Sequence, residues 1–338
     1  MGIASLERDA VMGRTAQITI LGCLAAFSTL PFQSAGAQTT STNTTVMLVL
    51  GAPGQEEFQT NFLRQLELWT RVCERAQATL VRIGVDTNSA TPDSERLKQT
   101  LADEPKEGRE ALWVVLIGHG TFDGKEARFN LRGPDVTAAD IAEWLKPFRR
   151  PVVFIDTSSA SAPFLNKLSA TNRVIVTATR SGSEQNFARF GLYLAEALTD
   201  DQSDLDKDGQ VSVLEAFLSA SARVAEFYKT EGRLATEHAL LDDDGDGHGT
   251  PADWFRGIRP VKKPQGNASV DGARAQQVHL VLSQAERALP PEVRAKRDAL
   301  ELEIGRLRAN KPQRPDGRYY GELEKLLLQL ADAYGARL

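Results

Sequence analysis

Residues Ala111 to Gly124 read ALWVVLIGHGTFDG, and this stretch decides the fold of the chain. A strongly apolar run from Val114 to Ile117 leads directly into a glycine, a histidine and a second glycine. A continuous apolar run that ends in glycine is typical of a strand buried on both faces of a parallel sheet. Such a strand delivers its next side chain to the carboxyl edge of the sheet, where open α/β folds place their sites. The sequence therefore predicts that His119 lies at a sheet edge.

Further strands and amphipathic helices alternate on both sides of this strand. Strands are predicted at 46–50, 79–83, 152–155 and 174–177, with a small hairpin strand at 129–132. Helices are predicted at 56–77, from 93 or 94 to 101, 137–148, 162–168 and 190–198. Thr137 and Asp140 have the spacing of a capping box at the start of one helix. This alternation is typical of βαβ crossovers and predicts an α/β fold with a mostly parallel sheet flanked by helices.

The composition indicates a globular protein with no nucleic-acid partner. Of the 338 residues, 41% are hydrophobic and 25% are charged, and the net charge of −5 does not favour binding to nucleic acid. The chain has two cysteines, Cys23 and Cys73. Cys73 belongs to an apolar pattern of helical period, which indicates a buried core thiol rather than a nucleophile.

The N-terminus has the layout of a secretory signal peptide. Arg14 precedes an apolar run at 18–30, and Ala-Gly-Ala at 35–37 matches a cleavage site. Residues 1–37 are therefore predicted to direct export, either to a periplasm or out of the cell. Two alternatives stay open, a lipoprotein signal at Cys23 and an uncleaved anchor. Membrane association is expected only through one of these two.

A complete EF-hand loop follows the predicted α/β region. Calcium needs oxygen ligands at positions 1, 3, 5, 7, 9 and 12 of such a loop, with glycine at position 6 for a sharp turn. The segment from Asp204 to Glu215 satisfies each position, with Gly209 at the turn. The predicted Ca²⁺ ligands are Asp204, Asp206, Asp208, the Gln210 carbonyl, Ser212 and Glu215.

A second acidic loop follows the same template in part. Its candidate ligands at positions 1, 3, 5 and 12 are Asp242, Asp244, Asp246 and Asp253. Gly249 replaces the usual apolar residue at position 8, and no clear helix follows. The pattern predicts a calcium loop, with a solvated acidic turn as the alternative. His238 and His248 flank the loop without a zinc-like cluster, which indicates structural or exposed roles.

The C-terminal part is predicted to be helical. Residues 262–272 read as a linker rich in proline, glycine and lysine. Helical apolar spacing follows at 275–288, 292–310 and 319–334, so that residues 273–338 are expected to contain a helical hairpin. This hairpin is interpreted as a packing or oligomerisation element. The apolar residues expected to face each other are Leu300, Leu302, Ile304 and Leu307, and Leu323, Leu326, Leu327 and Leu330.

A second strand end carries the family resemblance. The strand at 152–155 runs into Asp-Thr-Ser-Ser-Ala-Ser at 156–161, just as the opening strand runs into Gly118-His119-Gly120. This order resembles the caspase-like cysteine peptidases, in particular the legumain-like (peptidase C13-like) and metacaspase-like branches. The resemblance covers residues 45–200 and implies a caspase-like sheet flanked by helices. It also implies a catalytic histidine at 119 and a nucleophilic cysteine at 158.

The residue at 158 is serine, and this departure from the family pattern concerns activity directly. The family relies on a thiolate, whereas a serine hydroxyl is much harder to deprotonate and needs a close, oriented base. The interpretation we favour is a pseudopeptidase whose His119 and Ser158 line a cleft for a protein or peptide partner.

Two other interpretations stay open at this point. In an active hydrolase, Ser158 is the nucleophile, His119 the base and the Gly120 amide part of an oxyanion site, with Asp123 or Asp156 orienting the histidine. In a calcium-dependent binding or scaffolding module, the EF-hand is the functional centre and the helical hairpin is the partner surface. The last interpretation is compatible with a pseudopeptidase. For His119 itself, a purely structural role as a strand-end histidine hydrogen-bonded to the backbone is a further alternative. The oligomeric state and the residues of a specificity pocket, for which Arg180 and Arg189 are candidates, are left open.

Overall fold

A computed structural model describes residues 44–86, 89–264, 269–309, 311 and 315–335. The predicted signal peptide at 1–37 and its lipoprotein and anchor alternatives lie outside these residues. Across the described ranges, no helix has both the length and the apolar character needed to cross a membrane.

Strands and helices alternate through most of the described chain. The strands, in chain order, are β1 (Thr45–Leu50), β2 (Thr79–Ile83), β3 (Leu112–Ile117), β4 (Gly120–Phe122), β5 (Ala127–Phe129), β6 (Val136–Thr137), β7 (Val152–Asp156), β8 (Arg173–Thr177), β9 (Leu240–Asp242), β10 (Thr250–Pro251), β11 (Phe255–Arg256) and β12 (Arg259–Pro260). The helices are α1 (Glu56–Ala76), α2 (Asp93–Asp103), α3 (Ala138–Leu145), α4 (Ala162–Leu168), α5 (Phe190–Ala197), α6 (Val213–Thr230), α7 (Gln284–Arg287), α8 (Pro291–Ala309) and α9 (Asp316–Gly335). Short 3₁₀ helices lie at Asp201–Ser203, Ala252–Trp254 and Ala275–Gln277.

Within these residues, seven strands form the central sheet in the order β10-β9-β8-β7-β3-β1-β2. Five neighbouring strands of this sheet are parallel to one another, namely β2, β1, β3, β7 and β8. Strand β9 is antiparallel to β8, and β10 is antiparallel to β9. The predicted α/β fold with a mostly parallel sheet flanked by helices is confirmed. Strands β9 and β10 are not predicted from the sequence, because three and two residues are too few to show a periodic apolar pattern.

The central strand β3 explains why the sheet is buried on both faces. Its side chains alternate between two apolar clusters, because successive residues of a strand point to opposite faces. Trp113 packs in the cluster formed with α1, α5 and α6, and Val114 packs in the cluster formed with α2, α3 and α4. Every residue of β3 is therefore buried, as the continuous apolar run predicts.

A small antiparallel sheet of β4, β5 and β6 leads from the end of β3 to α3. The predicted hairpin strand at 129–132 is thus observed slightly earlier in the chain, at β5. The predicted capping box of α3 is confirmed. The Thr137 hydroxyl accepts the Asp140 amide at 3.0 Å, and the Asp140 carboxylate accepts the Thr137 amide at 3.0 Å.

The C-terminal helices α8 and α9 pack against each other and confirm the predicted helical hairpin. Leu300, Ile304 and Leu307 are buried, but Leu327, predicted to face α8, is 42% exposed. The prediction of a continuous helix at 275–288 is wrong. A 3₁₀ turn, an extended segment and α7 occupy this stretch, because the Val213 amide at the start of α6 donates to the Val278 carbonyl at 2.9 Å and holds that segment extended.

Candidate functional site

His119 lies at the carboxyl edge of the sheet, two residues beyond the end of β3. Its Nε2 atom is 3.2 Å from the carbonyl oxygen of Pro53, which belongs to the loop after β1. The imidazole also meets the rings of Phe58 and Phe62 edge-on, at centroid distances of 4.7 and 5.1 Å. Burial lowers the pKa of His119 below its ordinary value, and the Pro53 contact partly opposes this shift. These contacts direct the ring toward the β1 loop and α1.

Ser158 follows β7, the neighbour of β3 in the sheet. Its hydroxyl donates to Asp156 Oδ1 at 2.6 Å and lies 3.2 Å from the Ser159 carbonyl oxygen. Both Ser158 and Asp156 have no exposed surface. The candidate nucleophile is therefore enclosed, and its hydrogen-bond partner is a carboxylate on its own strand.

The fold brings the two predicted motifs together through their backbones. A Cβ atom placed on Gly120 would lie 2.7 Å from Ser158 Oγ and 2.2 Å from the Ser159 carbonyl oxygen, so only glycine fits there. The two side chains do not pair, since no hydrogen bond joins His119 to Ser158 in the described part of the chain. Adjacent strands thus deliver the motifs to one place, as predicted, while the imidazole and the hydroxyl have other partners.

The backbone amides of this edge also have partners within the chain. The Gly120 amide donates to Ser159 Oγ at 3.3 Å, and the Ser159 hydroxyl donates to the Gly120 carbonyl at 3.0 Å. The Ser158 amide donates to Asp156 Oδ1 at 3.0 Å. An oxyanion site needs amides that point at the developing negative charge. Ser159, whose role is not evident from the sequence, places its hydroxyl against the Gly120 amide that was expected to belong to the oxyanion site.

The two candidate orienting carboxylates differ strongly in their surroundings. Burial raises the pKa of Asp156 to about 6, against the opposing effect of two hydrogen bonds from Ser158. Its second oxygen, Oδ2, has no hydrogen-bond partner among the described residues. Asp123 is exposed and pairs with Arg128 at 2.9 Å, and this hydrogen bond lowers the pKa of Asp123. Asp156 is thus tied to Ser158, and Asp123 to Arg128.

A loop between β8 and α5 is bonded to both motifs. The Ala160 amide donates to the Glu184 carbonyl at 2.7 Å, and Gln185 donates to the Phe122 carbonyl at 3.1 Å. The two arginines considered for a specificity pocket have partners here. Arg180 pairs with Glu184 at 3.3 Å, and the Arg189 guanidinium lies 4.1 Å from the centre of the Phe227 ring.

The first acidic loop gathers three of its predicted ligands. Carboxylate oxygens of Asp204, Asp206 and Asp208 lie within 4.8 Å of one another. Ser212 and Glu215 instead form a capping box at the start of α6, with the Ser212 hydroxyl 2.9 Å from Glu215 Oε2. The other Glu215 oxygen accepts the amides of residues 205 and 206. The Gln210 side chain binds the Asp208 carboxylate and accepts the Ser283 amide.

The second acidic loop connects β9 to β10 and gathers the carboxylates of Asp242, Asp244 and Asp246 in the same way. Asp253 does not join this group, because it is exposed and pairs with Lys262. His248 lies beside Asp246, 3.0 Å from its carbonyl oxygen, and is exposed.

Both acidic loops share one internal geometry. The position-1 carboxylate accepts the amide of the position-6 glycine, at 3.0 Å in the first loop and 3.2 Å in the second. The position-5 carboxylate accepts the amide of the residue at position 7, at 2.9 Å in the first loop and 2.7 Å in the second. Gly209 and Gly247 have φ values of 86° and 77°, which suit glycine. The chemistry of the three carboxylates in each loop fits Ca²⁺, which takes oxygen ligands.

Buried carboxylates around the second loop escaped the sequence analysis. Asp243 Oδ2 accepts the amides of Arg274 and Ala275 at 2.7 and 2.8 Å. Asp271 accepts the Asp243 amide at 2.9 Å and the Thr250 hydroxyl at 2.6 Å. Burial raises the pKa of Asp271 above its ordinary value. These bonds attach the end of the predicted linker and the segment after it to the β9–β10 hairpin.

Glu237 is a further buried carboxylate that the sequence analysis missed. It accepts the amides of Arg189 and Phe190 at 2.8 and 2.9 Å and thereby caps α5. Next to it, His238 Nδ1 lies 2.6 Å from Glu184 Oε1, which gives this histidine the structural role that the sequence analysis expected.

No protein-family model and no curated protein matches the chain. Among solved structures, the chain is similar to the Drosophila initiator caspase Dronc, with 13% identity, coverage of 60% of this chain and 81% of Dronc, and a TM-score of 0.39. It is similar to caspase-1 from Spodoptera frugiperda, with 11% identity, coverage of 60% and 88%, and a TM-score of 0.38. It is also similar to a protein from Geobacter sulfurreducens, with 9% identity, coverage of 59% and 92%, and a TM-score of 0.38.

Proposed function

We propose that this chain is an exported, calcium-binding pseudopeptidase of the caspase-like fold, which acts as a binding or scaffolding module for a protein or peptide partner. The observation that carries the non-catalytic part is the 2.6 Å hydrogen bond from Ser158 Oγ to Asp156 at a position with no exposed surface. A nucleophile must reach its substrate, and this hydroxyl is enclosed.

The surroundings of Ser158 support the same conclusion. A serine nucleophile needs a base within hydrogen-bond reach, and the His119 imidazole is engaged by the Pro53 carbonyl instead. The amides of Gly120 and Ser158 both donate to side chains of the chain itself. A tetrahedral intermediate at this edge would therefore lack the histidine base and these two amide donors, so that hydrolysis by Ser158 is the less supported alternative.

Calcium binding is proposed for both acidic loops. Three carboxylates held within 4.8 Å repel one another, and a bound divalent cation would relieve this repulsion. Asp204, Asp206 and Asp208 would hold one ion, and Asp242, Asp244 and Asp246 the other. Calcium supplies charge neutralisation at each loop. Export, which rests on the predicted signal peptide, would expose the protein to calcium at concentrations that fill weak sites.

A pair of measurements tests the proposal. A fluorophosphonate probe should leave the folded protein unlabelled at Ser158, and labelling that Ser158→Ala abolishes would establish the hydrolase instead. Millimolar calcium should raise the melting temperature, since an ion that binds only the folded state stabilises it. The double variant Asp208→Ala/Asp246→Ala should lose this rise, and an unchanged melting temperature of the unsubstituted protein in calcium would refute calcium binding.

A further inference from the structure

A cleft of about 460 Å³ lies between the first acidic loop, the segment at 273–279 and the helical hairpin. Its volume falls within the range of about 300–1,000 Å³ that is typical of ligand sites. The cleft is separate from the edge that carries His119 and Ser158, since neither residue contributes to its lining. Its function is therefore independent of whether Ser158 is catalytic.

The charged side chains that line the cleft are predominantly acidic. Glu286 and Arg297 both contribute, but they pair with each other at 2.7 Å. The remaining carboxylates come from Asp206 and Asp208 on the loop and Glu301 on α8, and the remaining guanidinium is that of Arg308. When no cation occupies the first acidic loop, the cleft therefore presents a surplus of negative charge to a ligand.

The hairpin adds an apolar lining to the same cleft. Leu327 and Tyr334 on α9 are 42% and 45% exposed, and Leu330 lies between them. Residues seven positions apart lie two turns apart on one helix face, so these side chains form a continuous apolar strip. Exposed large apolar side chains that lie together in a cleft are typical of interaction surfaces.

Gly305 is a position in the wall of the cleft where a side chain can be added without a clash. It lies within α8 and lines the cleft, and a Cβ atom placed on it would have no other atom within 4 Å. Glycine inside a helix costs about 1 kcal/mol relative to alanine, so the chain carries a residue that disfavours the helix at a place where packing does not require it.

We propose that this cleft, while the first acidic loop holds no cation, binds an extended segment of a partner polypeptide in which basic and apolar residues alternate. Side chains of an extended chain point alternately to two sides, so that lysine or arginine can meet the carboxylates while the intervening side chains cover Leu327 and Tyr334. Charge complementarity selects a basic partner over an acidic one.

The test uses fluorescence anisotropy with the full protein in EDTA, so that Asp206 and Asp208 keep their charge whether or not the first acidic loop can bind calcium. The probes are a fluorescein-labelled hexapeptide of alternating arginine and leucine and a matched hexapeptide of glutamate and leucine. The arginine peptide should bind at least about ten-fold more tightly than the glutamate peptide. Equal binding of the two peptides, or no binding of either, would overturn the proposal.

Gly305→Leu places a side chain in the empty part of the cleft and should weaken binding of the arginine peptide by about ten-fold or more. Gly321→Leu is the matched control, because Gly321 is also a helical glycine with no atom near its Cβ position, but it does not line the cleft. Both variants should fold, since neither side chain meets an obstacle. Unchanged affinity in Gly305→Leu, or equal losses in both variants, would show that the peptide binds elsewhere.

Discussion

The Ser158 hydroxyl donates a 2.6 Å hydrogen bond to the carboxylate of Asp156, two residues before it at the end of β7. Asp156 also accepts the Ser158 amide, so that one buried carboxylate oxygen fixes both the backbone and the side chain of the serine. Serine occupies the position where the family resemblance implies a nucleophilic cysteine. Its hydroxyl has a structural partner there in the Asp156 carboxylate.

Ser158→Cys should not produce a peptidase. The new thiol would be enclosed like the hydroxyl it replaces, with its neighbouring amides bound to Asp156 and Ser159. In a chain whose Cys23 and Cys73 are replaced by serine, the thiol should react with Ellman's reagent only after denaturation. Rapid reaction of the folded variant, or cleavage of peptides after asparagine, aspartate, arginine or lysine, would show that a substrate can reach this position.

Asp156→Asn should change the pH dependence of stability. Burial raises the pKa of Asp156 to about 6, above its value in the unfolded chain, so the folded state binds the proton more tightly. The contribution of this carboxyl is therefore fully present below about pH 4, falls as the pH rises to about 6, and stays lost above it. The total loss is of the order of 3 kcal/mol.

The measurement is urea unfolding of both proteins between about pH 4 and pH 8. The difference in unfolding free energy, unsubstituted protein minus Asp156→Asn, should fall with rising pH, because the other titrating groups are common to both chains. Two parallel pH profiles would contradict a raised pKa at Asp156. Asp123→Asn is the control, since Asp123 is exposed and its pKa is lowered, not raised.

Gly120→Ala should destabilise the fold. The added methyl group would lie 2.2 Å from the Ser159 carbonyl oxygen, which belongs to a buried backbone and cannot move freely. We expect a loss of about 3 kcal/mol or more in unfolding free energy. Gly321→Ala in α9, where nothing lies within 4 Å, should instead gain up to about 1 kcal/mol. Similar unfolding free energies of the two variants would mean that Gly120 and Ser159 lie farther apart than described above.

The sequence predicted the parts of the fold that depend on local apolar pattern. The strands that end at 117 and 156 carry long apolar runs, and adjacent parallel strands then bring His119 and Ser158 to one edge. The direction of the His119 ring was not predictable, because Pro53 and Phe58 reach it from elements more than 60 residues away in sequence.

The carboxylates also divide into those whose role local sequence predicts and those whose role depends on the tertiary fold. The ligands of the acidic loops follow a spacing that can be read locally, and both groups of three are found together. Asp243 and Asp271 lie among similar acidic residues, yet each is buried against backbone amides from another segment. No local pattern distinguishes a carboxylate that accepts distant amides from one that faces solvent, so their structural role appears only with the tertiary fold.

The two acidic loops should bind calcium independently, because each has its own group of three carboxylates. Titration calorimetry should give a stoichiometry of about two for the unsubstituted protein and about one for either Asp208→Ala or Asp246→Ala. Asp253→Ala should leave the stoichiometry unchanged, since Asp253 pairs with Lys262 outside the second group. A single site in the unsubstituted protein, abolished by Asp208→Ala alone, would assign the second loop to the alternative of a solvated acidic turn.

Asp243→Ala should loosen the segment that follows the linker. Asp243 Oδ2 accepts the amides of Arg274 and Ala275, and its removal would leave the buried Ala275 amide without its partner. We expect a loss of about 3 kcal/mol in unfolding free energy, because each unsatisfied buried amide costs about 1–3 kcal/mol.

Hydrogen exchange at Arg274 and Ala275 gives the local readout of this change, and both amides should exchange faster than in the unsubstituted protein. Asp253→Ala, which removes an exposed carboxylate from the same region, should leave both rates unchanged. In Asp243→Asn, the exchange rates of these amides should lie between those of Asp243→Ala and Asp253→Ala, because the asparagine side-chain oxygen can still accept one of the two hydrogen bonds. Equal protection of Arg274 and Ala275 in the alanine variant would show that other contacts hold this segment on the β9–β10 hairpin.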